Sequence, residues 1–253
     1  TRLQGYAAGE DGKAGMRGRL VTKQGQIIAR ALMVGFIEGV ADVLQKGDTA
    51  ALLPLLDEQR ELLKQAETTL AGAAQPSLMP IVRSLMAVDK VRILAFAGKD
   101  LAADLQHARR LLATCPAEAL PQPYAQATCH AQSAVLSFSA AEIAAAQGQP
   151  ARPLLEEAMV AARKAYTLSA SDFENIELVA QAALRLAEAQ PHPAPALIQE
   201  GLDRATEAIK RSAVRAESYA LRGALLLLQA QAASTADKRA LLARQAQEAL
   251  SIA

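Results

Sequence analysis

The pattern of apolar and polar residues changes near residue 47. From there on, apolar positions recur every three or four residues, in stretches that end at Gly, Pro or Ser, as in amphipathic helices. Short breaks between such stretches favour antiparallel neighbours that pack on each other. The pattern predicts an all-α body with helices over residues 49–72, 77–97, 99–114, 121–147, 150–168, 171–190, 194–211, 213–232 and 234–252.

The second half of this body repeats itself. Residues 154–189 align with residues 197–232 without a gap, at a period of 43. A small residue, a bulky residue four positions later and a small residue three positions further on recur at Ala162, Tyr166 and Ser169, then at Ala205, Ile209 and Ser212, then at Ala246, Leu250 and Ala253. Such a spacing lets two helices cross closely at the small positions while the bulky residue fills the groove opposite.

This spacing resembles the second-helix signature of the tetratricopeptide repeat, and Gly223 and Ala180 resemble its small first-helix position. About ten extra residues separate the two signatures here, and the family's closing proline is missing. The resemblance implies stretched tetratricopeptide-like hairpins that stack into an α-solenoid. In that family the first helices line the concave surface, so Glu177, Tyr219 and Arg222 are the expected partner-binding residues.

Residues 1–46 follow a different pattern. Glycines at positions 5, 9, 12, 15, 18 and 25 disfavour helix over residues 3–24, because a Gly inside a helix costs about 1 kcal/mol relative to Ala. Asp11-Gly12 predicts a turn between two extended stretches, and hence a short β-hairpin or extended arm. A lone hairpin is not stable in water, so we expect it to pair with a strand from a partner.

The arm is followed by a predicted apolar helix from Ile27 to Leu44. Ala31, Gly35 and Gly39 are spaced four apart and would form a ridge of small residues, suited to close helix packing or homo-oligomer contact. The charged residues of the helix fall within one narrow stripe. Two interpretations of this helix therefore remain. It is either the first helix of a soluble bundle or a membrane-associated helix whose charged stripe faces a water-filled lumen.

The N-terminal segment resembles a known family over residues 3–44, a sixth of the chain. The resemblance is carried by the run GYAAGEDGKAGMRGRLVTKQGQIIARALMVGFIEGVADVL, which is similar to the TraB/TrbI family of conjugative type IV secretion proteins. It implies a multimeric secretion-channel component with residues 27–44 near an outer-membrane pore. The remainder of that family's barrel domain has no counterpart here. We divide the chain into residues 1–46 and a helical-repeat domain over residues 47–253, with a candidate subdivision near 116–121.

Composition and charge narrow the function classes. The chain is 51% hydrophobic but 3% aromatic, so its core should rely on Ala and Leu, which favour close helix packing. Its 27 basic and 26 acidic residues are interspersed, which disfavours nucleic-acid binding. The cysteines at 115 and 129 are expected to be buried free thiols, with a disulfide as the alternative.

No motif for catalysis, a cofactor or a metal is found in the sequence. Walker, dinucleotide and Gly-x-Ser-x-Gly motifs are missing, and the three histidines have no partner at metal-ligand spacing. The paired glutamates at 156–157 and at 174 and 177 fit solvated helix faces better than a catalytic pair. We therefore expect no cofactor and no enzymatic activity.

Three functions remain in order of preference. The first is a non-catalytic scaffold that binds a protein or peptide partner, in a conjugative type IV secretion apparatus. The second is a tetratricopeptide-like region of a larger bacterial regulatory or kinase-type protein, an interpretation that the chain's end within a repeat favours. The third is an enzyme with a site between helices. The first reading implies the periplasm or outer membrane, and the others imply the cytoplasm.

Overall fold

The computed structural model describes residues 79–96, 100–118 and 122–253, together with individual helical residues between 54 and 68. The predicted β-hairpin or arm, the apolar helix Ile27–Leu44 and its small-residue ridge at Ala31, Gly35 and Gly39 lie outside the described residues. Within these limits the chain is all-helical and contains no β-strand, as predicted for residues 47–253.

Eight helices follow one another between residues 79 and 252 of the described chain. They are α1 (Met79–Phe96), α2 (Ala102–Glu118), α3 (Pro123–Ala146), α4 (Arg152–Leu168), α5 (Phe173–Glu188), α6 (Pro195–Arg211), α7 (Ala216–Gln231) and α8 (Ala236–Ile252). They agree with the predicted helices to within a few residues, except that α2 runs through Pro116 to Glu118 instead of ending at 114.

The ends of these helices follow from local side-chain chemistry. Pro123 and Pro195 stand at the starts of α3 and α6, where a missing N–H costs nothing. Asp172 and Thr235 cap α5 and α8, because their side chains accept hydrogen bonds from the free backbone N–H groups of the first turn. Gly148 ends α3 with a φ of 70°, a left-handed conformation that favours glycine.

The helices pack as four consecutive pairs, α1–α2, α3–α4, α5–α6 and α7–α8. We call α1, α3, α5 and α7 the first helices and α2, α4, α6 and α8 the second helices. Each first helix after α1 also packs on the preceding second helix and on the preceding first helix. This nearest-neighbour stacking is the packing of an α-solenoid.

The repeat is visible in the buried positions of the second helices. The residues that each second helix buries include a set at positions i, i+4 and i+7. The three predicted small positions at 162, 205 and 246 are each the middle one of such a set and are fully buried. The first pair belongs to the same series, at an offset of 50 residues rather than 43 or 41. The sets are Ala108, Leu112 and Cys115; Ala158, Ala162 and Ala165; Gly201, Ala205 and Ala208; and Leu242, Ala246 and Ala249.

Two helix glycines lie where a neighbouring helix approaches closely. A Cβ at Gly201 would lie 2.9 Å from both methyl groups of Leu225 and 3.0 Å from Ala183, and both of these residues are fully buried. A Cβ at Gly223 would lie 2.6 Å from Cγ of Leu250, a side chain that is 43% exposed, and 3.3 Å from the backbone oxygen of Ala246. The added atom therefore clashes with buried side chains at Gly201, whereas at Gly223 the shortest clash is with a half-exposed side chain.

We expect Gly201→Ala to lower the free energy of unfolding by about 1 kcal/mol, since overpacking a core costs about 1–3 kcal/mol and outweighs the gain of about 1 kcal/mol in helix propensity. Gly223→Ala should cost less than Gly201→Ala, because Leu250 can swing towards solvent and only the 3.3 Å contact with the Ala246 backbone oxygen remains. Urea unfolding followed by circular dichroism measures both. Equal effects of the two substitutions would contradict the assigned packing.

Candidate functional site

Glu177, predicted to bind a partner, lies inside the stack. It is on α5 and 8% exposed. Its carboxylate accepts hydrogen bonds from Nε and Nη2 of Arg215, at 2.9 and 2.8 Å, and from the hydroxyl of Ser218. The hydrogen bond to Glu177 raises the pKa of Arg215, whose guanidinium also lies over the ring of Phe173 at 4.4 Å. Glu177 therefore holds the first turn of α7 against α5.

Replacing this carboxylate should be costly. We expect Glu177→Gln to lower the free energy of unfolding by about 2 kcal/mol, because it removes a bidentate charged pair and leaves the half-buried Arg215 and the buried Ser218 hydroxyl without an ionised acceptor. Chemical unfolding of the two proteins side by side measures the difference. The matched control is Glu174→Gln, a more accessible carboxylate about one turn away, which should change stability by less than about 0.5 kcal/mol.

Tyr219 and Arg222, the other two predicted partner-binding residues, remain accessible. They lie three residues apart on α7, so both project from one side of the helix. Both are half-buried, and neither forms a hydrogen bond or ion pair with a described residue. An aromatic ring beside a guanidinium is a common composition for a protein-binding surface. Tyr219 and Arg222 are therefore partly accessible polar side chains of α7, and we call the side of the stack formed by the first helices the first-helix surface.

Charged residues also connect the C-terminal halves of α1, α3 and α5. Arg185 on α5 forms an ion pair with Glu142 on α3, and its guanidinium lies 5.0 Å from the centre of the Phe138 ring. On α1, burial lowers the pKa of Arg92, while the charges of Asp89 and Glu142 oppose this effect and that of Arg185 adds to it. Acidic and basic side chains therefore lie close together across α1, α3 and α5.

Asp89 is an acidic residue buried in the core of the described chain. It is 3% exposed on α1, and its Oδ2 atom has no hydrogen-bond partner. Nη1 of Arg92 is 4.0 Å from its Oδ1. Burial raises the pKa of Asp89 to about 7, and the Arg92 charge offsets only part of that rise. Asp89 is thus a buried carboxyl that stays neutral below about pH 7.

A second accessible surface lies on the side of the second helices. An open groove of about 500 Å³ lies between α2 and α4 and has α3 as its floor. Its lining combines apolar and polar side chains. Burial and, to a smaller extent, the charge of Lys164 lower the pKa of His130. Its lining residues are Arg109, Leu112, Ala113, Pro116, His130, Ser133, Leu136, Ser137 and Glu157.

Side chains fill the corresponding space between α4 and α6. Arg163 donates from Nε and Nη2 to the carboxylate of Glu200, at 2.9 and 2.5 Å, and this pairing raises the pKa of Arg163. Beside it, the guanidinium of Arg204 lies over the Tyr166 ring at 4.3 Å and donates to the Tyr166 hydroxyl. Glu207 accepts hydrogen bonds from both Arg204 and Tyr166.

The expectation of free thiols was wrong. Cys115 and Cys129 form a disulfide that joins the last turn of α2 to α3, with 5.8 Å between their Cα atoms. Both residues are fully buried, in a cluster with Ile81 and Ala125. The bond and this burial also account for the continuation of α2 through Pro116, because they fix the turn in which the proline has no N–H to donate. The disulfide spans the candidate subdivision near 116–121.

Sequence reasoning missed the buried Asp89, the open groove and the first repeat, and it ranked the disulfide second to free thiols. Among the described residues, no group of three or more His, Cys, Asp and Glu side chains is placed to hold a metal ion. None of the described helices combines the length and the apolar character needed to cross a membrane. No protein-family model, curated protein or solved structure matches the chain.

Proposed function

We propose that this chain is a non-catalytic protein–protein interaction scaffold whose first-helix surface binds a segment of a protein partner at Tyr219 and Arg222. The observation that carries the proposal is the regular stack of four helix pairs, because stacked helical repeats present long continuous surfaces to peptides and helices. Glu177 would support that surface from inside, by fixing the start of α7.

The cellular setting that we propose is a conjugative secretion apparatus. It rests on the resemblance of residues 3–44 to the TraB/TrbI family, which implies the periplasm or outer membrane. The buried disulfide favours this setting over a cytoplasmic regulatory protein, because disulfides persist in oxidising compartments and are rare in the cytosol. Homo-oligomerisation would then involve the N-terminal segment.

Affinity capture with quantitative mass spectrometry tests the scaffold. Proteins captured by the wild-type chain should be lost with the Tyr219→Ala/Arg222→Ala double variant. They should be retained with Arg244→Ala, an exposed arginine on α8. Capture that is unchanged by the double variant would refute binding through this surface.

Light scattering after size-exclusion chromatography tests the setting separately. The full chain should form a multimer that deletion of residues 1–46 dissociates into monomers. A full chain that is monomeric, and unchanged by the deletion, would contradict the secretion-channel role and leave the regulatory-protein alternative.

A further inference from the structure

The open groove between α2 and α4 and the filled space between α4 and α6 are equivalent positions in successive repeats. The buried sets of the second helices give the register, an offset of 50 residues from α2 to α4 and of 43 from α4 to α6. In this register Ala113 occupies the position of Arg163, and Pro116 that of Tyr166. The groove is open because Arg163 and Tyr166, two of the side chains that fill the next interface, are replaced by smaller ones.

One of the two carboxylates of the filled interface is retained in the groove, whereas the position of the other, Glu207, is taken by Lys164. Glu157 occupies the position of Glu200, the carboxylate that binds Arg163 through two hydrogen bonds. Glu157 lines the groove and is exposed, and it forms no hydrogen bond or ion pair with a described residue. The groove therefore contains a carboxylate equivalent to that of Glu200 but no arginine equivalent to Arg163.

The other charged groups around the groove restrict what fits. Arg109 lines it from α2, and Lys164 acts electrostatically on His130 in its floor. Two cations disfavour a polybasic occupant, whereas a carboxylate on the occupant would offset Arg109. Pro116 leaves space where the next interface holds an aromatic ring.

We propose that this groove binds a segment of the protein partner through an arginine side chain on Glu157, with an adjacent aromatic residue over Pro116 and a carboxylate facing Arg109. The proposal rests on the proposed scaffold function but uses a different surface, on the side of the second helices. The filled interface supplies the chemistry, since Arg163 and Tyr166 already show which side chains such a space accepts.

A defined dipeptide probe tests the groove directly. N-acetyl-arginyl-tyrosine with a free carboxylate carries all three groups, and the ring NMR signals of His130 report on its binding. The wild-type chain should show a saturable shift of these signals. The citrulline analogue, which has the shape of arginine without its charge, should bind to the wild-type chain at least tenfold more weakly. The arginine peptide should likewise bind to the Glu157→Gln variant at least tenfold more weakly than to the wild type. Equal affinity for the two peptides would overturn the proposal.

Filling the groove from within is the sharper test. Ala113→Arg places an arginine where Arg163 stands in the next repeat, so it should abolish the His130 shift while circular dichroism and the melting temperature remain those of a folded chain. Glu156→Gln, at the neighbouring position where the carboxylate pairs with Arg152, is the matched control and should bind like the wild type. Undiminished binding by the Ala113→Arg variant would place the peptide elsewhere and refute the assignment.

The outcome is separable from that of the scaffold test. Tyr219→Ala/Arg222→Ala should leave the affinity for the dipeptide unchanged. A groove that fails to bind the dipeptide while capture still depends on Tyr219 and Arg222 refutes the groove alone. Loss of dipeptide binding in that double variant would contradict the groove as a separate site.

Discussion

Reduction of the Cys115–Cys129 disulfide is expected to lower the free energy of unfolding of the helices around it by about 3 kcal/mol. The bond closes a loop of about 15 residues, for which the loss of chain entropy in the unfolded state gives a stabilisation of this size. Both residues are fully buried and tie α2 to α3 beside Ile81 of α1. The effect should therefore be strongest in α1, α2 and α3.

Hydrogen exchange with and without a phosphine reductant measures this effect helix by helix. Protection in α2 and α3 should fall after reduction, while α7 and α8 should retain theirs, because stacked repeats transmit stability mainly to their nearest neighbours. The Cys115→Ser/Cys129→Ser variant is the control, and the reductant should not alter its exchange. Two free thiols in denatured, unreduced protein would show that the bond does not form.

The helices were predictable because residues close to each boundary determine where a helix begins and ends. The predicted helix 194–211 is observed as Pro195–Arg211, since a proline favours the first turn and nothing interrupts the apolar spacing behind it. The small positions at 162, 205 and 246 were predictable for a related reason, because only a small side chain allows two helices to approach so closely.

Tertiary pairings were much harder to predict. The spacing of 14 residues between the cysteines does not reveal that the end of α2 and the start of α3 meet. The first repeat was missed because it is longer than the later ones and carries Leu112 at the middle buried position, where they carry Ala. These two differences hid the register in which Ala113 is equivalent to Arg163. Glu177 resembled a surface residue, since its partners Arg215 and Ser218 lie about 40 positions away.

Asp89 shows the same limitation most clearly. An aspartate followed by lysine in the sequence suggests an exposed position, yet Val88 and Val91 on either side are also fully buried. Its burial depends on the helices that pack around α1, and the sequence pattern of α1 alone does not identify them. A buried carboxyl with an oxygen that has no hydrogen-bond partner lowers stability when it is ionised.

Asp89 should therefore make the chain less stable as the pH rises. Its pKa is about 7 in the folded state and near 3.8 in the unfolded state, so between these values only the folded state holds the proton. Stability is highest below the unfolded pKa and is lost as the pH rises through the folded pKa, at about 1.4 kcal/mol per pH unit. Between pH 5 and pH 8 this carboxyl alone should cost about 3 kcal/mol.

The Asp89→Asn variant isolates this contribution, because the amide has nearly the same shape and does not titrate. Urea unfolding at pH 5 and pH 8 should show a fall of about 3 kcal/mol in the wild type beyond any fall in the variant, so the variant gains relative stability at pH 8. Asp203→Asn, on the exposed side of α6, should keep the wild-type pH dependence. Parallel pH profiles for the wild type and Asp89→Asn would mean that Asp89 is ionised throughout this range and hydrated in the folded chain.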